Sequence, residues 1–202
     1  YILMFVIAFG VAFVLTWILG YKDAAESDKK EKNISVESTG HIEEQEADST
    51  DDFVLYSALE GNAVRLSQVN DATFASEVLG KGIAVIPSKG EVVAPCDATV
   101  ETVFDTKHAV GLSTKNGMEL LIHIGINTVE LGGKYYTTHV KDGDCVKKGQ
   151  LLVSFDMDKI KDAGYDVTTP LIVTNSDDYS NVKILQEGAV TPDNKVLEIV
   201  KE

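Results

Sequence analysis

The stretch MELLIHIGINTVEL, residues 118–131, decides how this chain folds and poses the question of what a histidine is doing inside it. In an extended strand successive side chains point to opposite faces, so Leu120, Ile122, Ile124 and Ile126 share one apolar face. Glu119, Leu121, His123, Gly125 and Asn127 share the other, which is mixed. The alternation predicts a strand that carries His123 away from the wholly apolar side. Gly125, two residues on, has no side chain to shield the imidazole, and this pattern predicts that something approaches the ring.

Working outward, short apolar runs are punctuated by glycine: GKGIAVIP, GEVVAP, ATVETVF and AVGLST before the opening stretch, QLLVSF and PLIVTN after it. Runs of this length and spacing predict strands, and only IKDAGY, residues 160–165, suggests a helical turn. The expected fold class is all-β, a β-sandwich or barrel-like fold with short helical turns. Residues 88–104 (SKGEVVAPCDATVETVF) and 141–156 (KDGDCVKKGQLLVSFD) each set a glycine turn before a strand, which suggests an internal duplication.

The first 52 residues differ in kind. Residues 1–20, YILMFVIAFGVAFVLTWILG, carry no charge, and a helix of that length spans about 30 Å, the thickness of a bilayer core. A transmembrane helix is expected there, at the cut end of a longer membrane protein; a secretory signal would need a basic start and a small-residue cleavage site. Trp17 and Tyr21 stand where interfacial aromatics anchor a helix end, and Lys22, Lys29, Lys30 and Lys32 place the following chain on the cytoplasmic side. Residues 21–52 hold 11 acidic residues and four lysines with almost no large apolar side chain, which predicts an acidic, disordered tether. The folded domain is expected over 53–202.

The net charge of −14 argues against nucleic acid as a partner, because phosphates would repel it, and is compatible with a basic protein. Cys96 and Cys145 are the two cysteines, and neither stands in a C-x-x-C pair. In a reducing compartment they are expected to be unpaired and structural. The run GDCVKKGQLLVSFDMDKI passes for the carrier hairpin of a lipoyl or biotinyl domain with Lys159 as the modified residue. KIKDAGY, however, continues with helical spacing rather than as a tight hairpin, so Lys159 reads as a solvated charge.

FDTKHAVGL puts Thr106 and His108 at the same parity, fifteen residues before His123, so that two histidines and a hydroxyl can converge from neighbouring strands. Three chemistries use such a group: a zinc site, a general base serving a nucleophile, or a histidine that itself carries a transferred group. Zinc needs three or four protein ligands, and no H-x-H, H-E-x-x-H or C-x-x-C supplies the rest. Neither Ser113 nor Cys96 stands in a nucleophile-elbow context. His41 and His139, in a tether and a turn, read as solvated. A carrier histidine fits best: with an ordinary pKa of about 6.5 it is largely neutral, so one ring nitrogen can accept a phosphoryl group and release it again.

The series GKGIAVIPSKGEVVAP, TKHAVGL, ELLIHIGINTVEL, VKKGQLLVSFD and TPLIVTN resembles, in order and spacing, the glucose-type enzyme IIA domain of the bacterial phosphoenolpyruvate-dependent sugar phosphotransferase system, over about residues 53 to 200. The resemblance implies an all-β, compact antiparallel β-sandwich of the duplicated hybrid motif type. His123 then takes a phosphoryl group from the small carrier HPr and passes it to a cysteine of a IIB domain. His108 corresponds to the second active-site histidine, which supports the phosphate, and Thr106 to the residue bonded to it. No cofactor and no metal are implied. One departure is Asn127, where the family often has aspartate; Asp71 matches another acidic position bordering the site. An apolar helix leading into IIA through an acidic linker looks like the IIB, IIC, IIA order of a β-glucoside-type permease at the cell membrane. The alternative is a regulatory IIA-like module fused to a cation-coupled sugar symporter.

Overall fold

In the computed structural model, residues 53–201 are described, and the expected membrane helix at 1–20 and acidic tether at 21–52 lie outside them. Among the described residues, no helix is long and apolar enough to cross a membrane. The domain is built of short antiparallel strands, in chain order β1 (Val54–Tyr56), β2 (Gly61–Arg65), β3 (Lys81–Pro87), β4 (Glu91–Val93) and β5 (Ala98–Val103). These are followed by β6 (Ala109–Ser113), β7 (Glu119–His123), β8 (Tyr136–Thr138), β9 (Cys145–Val146) and β10 (Leu151–Phe155). The series ends with β11 (Thr169–Val173), β12 (Asn181–Ile184), β13 (Gly188–Val190) and β14 (Lys195–Val200). Among the described residues two short α-helices interrupt them, α1 (Ala72–Ala75) and α2 (Met157–Asp162), with three 3-10 turns at Leu66–Gln68, Thr128–Leu131 and Ser176–Asp178.

The strands form an eight-stranded sheet in the order β13-β2-β3-β11-β7-β6-β5-β9 and two three-stranded sheets, β1-β14-β12 and β4-β10-β8. Period-two alternation sorts the side chains of the large sheet onto two faces. On one face Ile83 and Val85 of β3, Val110 and Leu112 of β6, Leu120 and Ile122 of β7, and Leu171 and Val173 of β11 join Leu55, Val92, Leu152, Val153 and Leu197 from the small sheets in the main core. Fully burying each such side chain contributes about 1.5–3 kcal/mol, so this face holds the sheets together. On the other face Ala84, Ala109, Leu121 and Ile172 meet Leu66, Val69 and Phe74 in a smaller cluster that lies beside His123.

The repeat-like stretches lie against each other: β4 pairs with β10 and β5 with β9, so the short strand of each pairs with the longer strand of the other. Lys159 sits inside α2, capped by Asp156, whose side chain accepts a bond from the Lys159 N–H at 3.1 Å. Its ammonium is 2.7 Å from the Asp156 carboxylate, which is a surface ion pair and not a hairpin tip.

Two details of the parity reading are corrected. The strand at the opening stretch ends at His123, because Gly125 takes φ +81° and turns the chain. Ile126 therefore joins the smaller cluster with Leu121 and leaves the Leu120, Ile122, Ile124 face. Thr106 and His108 lie in the turn before β6 rather than on the strand, with Lys107 between them at φ +56°.

Candidate active site

β6 and β7 are neighbours in the large sheet, with Ala109 opposite His123. That register places His108, the residue before β6, beside the end of β7, and the Ile124 N–H donates to the His108 carbonyl at 2.6 Å. The two imidazoles stand 4.8 Å apart between centroids, edge to face at 79°. Thr106 and His108 share a hydrogen bond of 2.6 Å between hydroxyl and Nδ1. All three residues proposed from the sequence are thus brought together.

His123 is half-buried, and its Nδ1 lies 2.8 Å from the Gly125 carbonyl oxygen. A carbonyl only accepts, so Nδ1 carries the proton and Nε2 keeps a free lone pair. This corrects the simplest expectation for Gly125. The residue is glycine because an ideal Cβ there would lie 2.6 Å from Thr128 Cγ2 and 2.8 Å from the Asp166 carbonyl oxygen, and because its φ is positive.

Burial pushes the His108 pKa down to about 3, with repulsion from His123 adding to it. Burial also lowers that of His123, opposed in part by its bond to Gly125 and by the charge of Asp71. Both rings are therefore neutral near pH 7, which leaves Nε2 of His123 nucleophilic.

Two aromatic side chains frame the pair. The Phe74 ring lies 5.0 Å from that of His123, and Phe104 lies 5.7 Å from His108. Asp71 holds the first in place: its carboxylate caps α1, accepting from the Thr73 N–H at 2.9 Å and the Phe74 N–H at 3.1 Å. Neither phenylalanine was singled out from sequence, since each reaches its histidine only through the fold. The D-A-T-F cap was the available signal for Phe74.

The other sequence candidates lie elsewhere or do other work. His139 is exposed and shares a 2.6 Å hydrogen bond with Ser154. Asn127 is exposed at φ +59° beside the site. Cys145 is exposed, whereas burial pushes the Cys96 thiol up to about 12, which makes it inert. Among the described residues, no three His, Cys, Asp or Glu side chains gather as a metal ion would require.

Residues 53–179 match the family model of the phosphoenolpyruvate-dependent sugar phosphotransferase system, EIIA 1. The β-glucoside-specific EIIBCA component of Dickeya chrysanthemi is 42% identical over 195 residues, covering 96% of this chain and 30% of that protein. The chain thus spans under a third of that relative's length. The glucose-specific EIIA component of Oceanobacillus iheyensis is 40% identical over 150 residues, 74% of this chain and 91% of that one. The glucose permease IIA structure from Mycoplasma capricolum superposes with a TM-score of 0.66 at 31% identity, covering 71% of this chain and 93% of that one. Together with the paired imidazoles on neighbouring strands, these matches show that the chain belongs to the EIIA 1 family of the phosphoenolpyruvate-dependent sugar phosphotransferase system.

Proposed function

We propose that the domain is a IIA phosphocarrier in which Nε2 of His123 accepts a phosphoryl group from phospho-HPr and passes it to the cysteine of a IIB domain. In the first step the phosphorus–donor bond breaks as the phosphorus–Nε2 bond forms; in the second that bond breaks as a phosphorus–sulfur bond forms. The observation that carries this reading is the bond from His123 Nδ1 to the Gly125 carbonyl, 2.8 Å, which leaves Nε2 as the nucleophile of a neutral ring. As phosphorus bonds to Nε2 the ring gains positive charge, and the Nδ1–H bond to the carbonyl becomes charge-assisted and stronger.

His108 supports the phosphoryl oxygens. With the Thr106 hydroxyl donating to its Nδ1, its proton sits on Nε2 and serves as a hydrogen-bond donor to the phosphate. The acidic domain surface suits a basic donor protein, and Asp71 leaves part of its carboxylate beside the site for that contact. The reading includes a compact sandwich with an internally duplicated motif, a domain beginning near residue 53, and a place on the cytoplasmic face of the cell membrane within a longer permease. The EIIBCA name of the Dickeya relative favours a permease for β-glucosides over the symporter-linked module.

Mass spectrometry after incubation with phosphoenolpyruvate, enzyme I and HPr tests it. One acid-labile phosphoryl group mapped to His123 is the expected result. A folded domain that takes none would overturn the carrier assignment.

A further inference from the structure

The Gly125 carbonyl can orient His123 only if the turn that carries it is itself fixed, and the fold fixes it from both sides. All peptide bonds described are trans, so the C=O and N–H of one peptide plane point in opposite directions. The Ile126 N–H donates to the Asp166 carbonyl at 2.8 Å, which aims the other edge of that plane, the Gly125 oxygen, back at His123. The preceding plane ends in the Ile124 carbonyl. That oxygen accepts two buried hydroxyl donors, Thr128 Oγ1 at 2.7 Å and Tyr136 Oη at 3.1 Å, and so fills both of its lone pairs.

These hydroxyls are placed where a loose turn would be costly. Thr128 and Ile124 are fully buried and Tyr136 is 5% exposed, so no water substitutes for a lost donor. Thr128 also walls in Gly125 through its methyl group. Tyr136 arrives on β8, in a different sheet, where it stacks on Phe155 at 6.2 Å between centroids. The tie therefore runs from the small sheet β4-β10-β8 to the end of β7, two residues from which the reactive ring is oriented.

We propose that Thr128 and Tyr136 are positioning residues for the accepting histidine: by holding the Ile124 carbonyl they keep the proton on His123 Nδ1 and the lone pair on Nε2. The inference rests on the carrier reading for its kinetic consequence, though not for the tautomer itself.

The test uses the 202-residue chain with 15N-labelled imidazoles, as wild type and as Thr128→Val, Tyr136→Phe, the double variant and Thr128→Ser. Ring-nitrogen NMR gives the His123 tautomer, and acceptance rates against HPr concentration separate the saturating rate from KM. Removing both hydroxyls is expected to reveal an Nε2–H population and to lower the saturating rate roughly fivefold, the size of the single orienting hydrogen bond between His123 and Gly125 that is then lost. KM stays unchanged, because neither hydroxyl reaches the surface. Thr128→Ser, which keeps the donor, stays close to wild type. If the double variant does not fold, the single variants are expected to show the same changes at smaller size. A folded double variant, or failing it both folded single variants, with His123 wholly in the Nδ1–H form and an unchanged saturating rate would overturn the proposal. So would a change confined to KM. A wild-type chain that accepts no phosphoryl group would overturn the carrier reading instead, and the tautomer spectra would still decide the role of the two hydroxyls.

Discussion

His108 and His123 meet edge to face with their centroids 4.8 Å apart, and each is held below the ordinary imidazole pKa, His108 at about 3. The pair is thus neutral as it stands, and on the proposed carrier reading it responds to charge when loaded. A phosphoryl group brings about −1.5 to −2 of charge to a site whose members repel their own protonation.

The first prediction concerns that response. An opposite charge within a few ångströms favours the protonated imidazole, so phosphorylation of His123 should raise the pKa of His108. NMR titration of the two rings before and after phosphorylation measures it. A His108 that titrates identically in both states would remove its electrostatic support role.

The two histidines should also separate kinetically. His123→Gln should abolish acceptance, whereas His108→Gln should still accept from HPr but transfer onward more slowly, by about 10- to 100-fold, the size of one lost hydrogen bond to a charged group. Stopped-flow or quench kinetics of both half-reactions would show it. Complete loss of acceptance in both variants would contradict distinct roles.

Stability should depend on His108 in a defined pH window. Its folded pKa is depressed, so below about pH 6.5 the unfolded chain binds a proton that the folded chain refuses until about pH 3. Stability from this group is therefore complete above pH 6.5 and declines as pH falls, by at most about 1.4 kcal/mol per unit. Urea unfolding between pH 5 and 7, before most carboxylates titrate, should show a shallower slope in His108→Gln than in wild type.

Gly125→Ala should be costly both to stability and to the site. The new Cβ meets Thr128 and the Asp166 carbonyl at 2.6 and 2.8 Å in a left-handed backbone. A loss of at least about 2 kcal/mol is expected in denaturant melts, together with slower phosphoryl acceptance.

Asn127 offers a charge test without a folding cost. It is exposed, in the left-handed conformation that Asn and Asp both tolerate, and its side chain makes no capping bond. Asn127→Asp should speed reaction with a basic HPr surface at low salt and converge on wild type at high salt. Equal rates throughout would remove the argument from charge.

Strand content was legible wherever apolar residues form a run: each of the seven runs read from sequence contains one of β3 to β7, β10 or β11. Of the seven strands missed among the described residues, β1, β8, β9 and β13 have two or three residues, too short to show a period, while the longer β2, β12 and β14 mix apolar with polar or charged residues rather than forming an apolar run. In the site, the histidines and Thr106 were legible because their side chains carry the chemistry. The Gly125 carbonyl was not, since every residue has one and only the backbone turn gives it a role. Phe74 and Tyr136 were hidden for another reason. They come to His123 and its turn from distant segments, and nothing local marks an aromatic ring as part of a site.

The bond between His123 Nδ1 and the Gly125 oxygen has a consequence for the order of events. On the proposed carrier reading, with one nitrogen closed, a single atom must both receive and surrender the phosphoryl group, so donor and acceptor proteins cannot react in one ternary complex. Turnover is then double-displacement, and double-reciprocal plots at fixed concentrations of the second partner should be parallel lines.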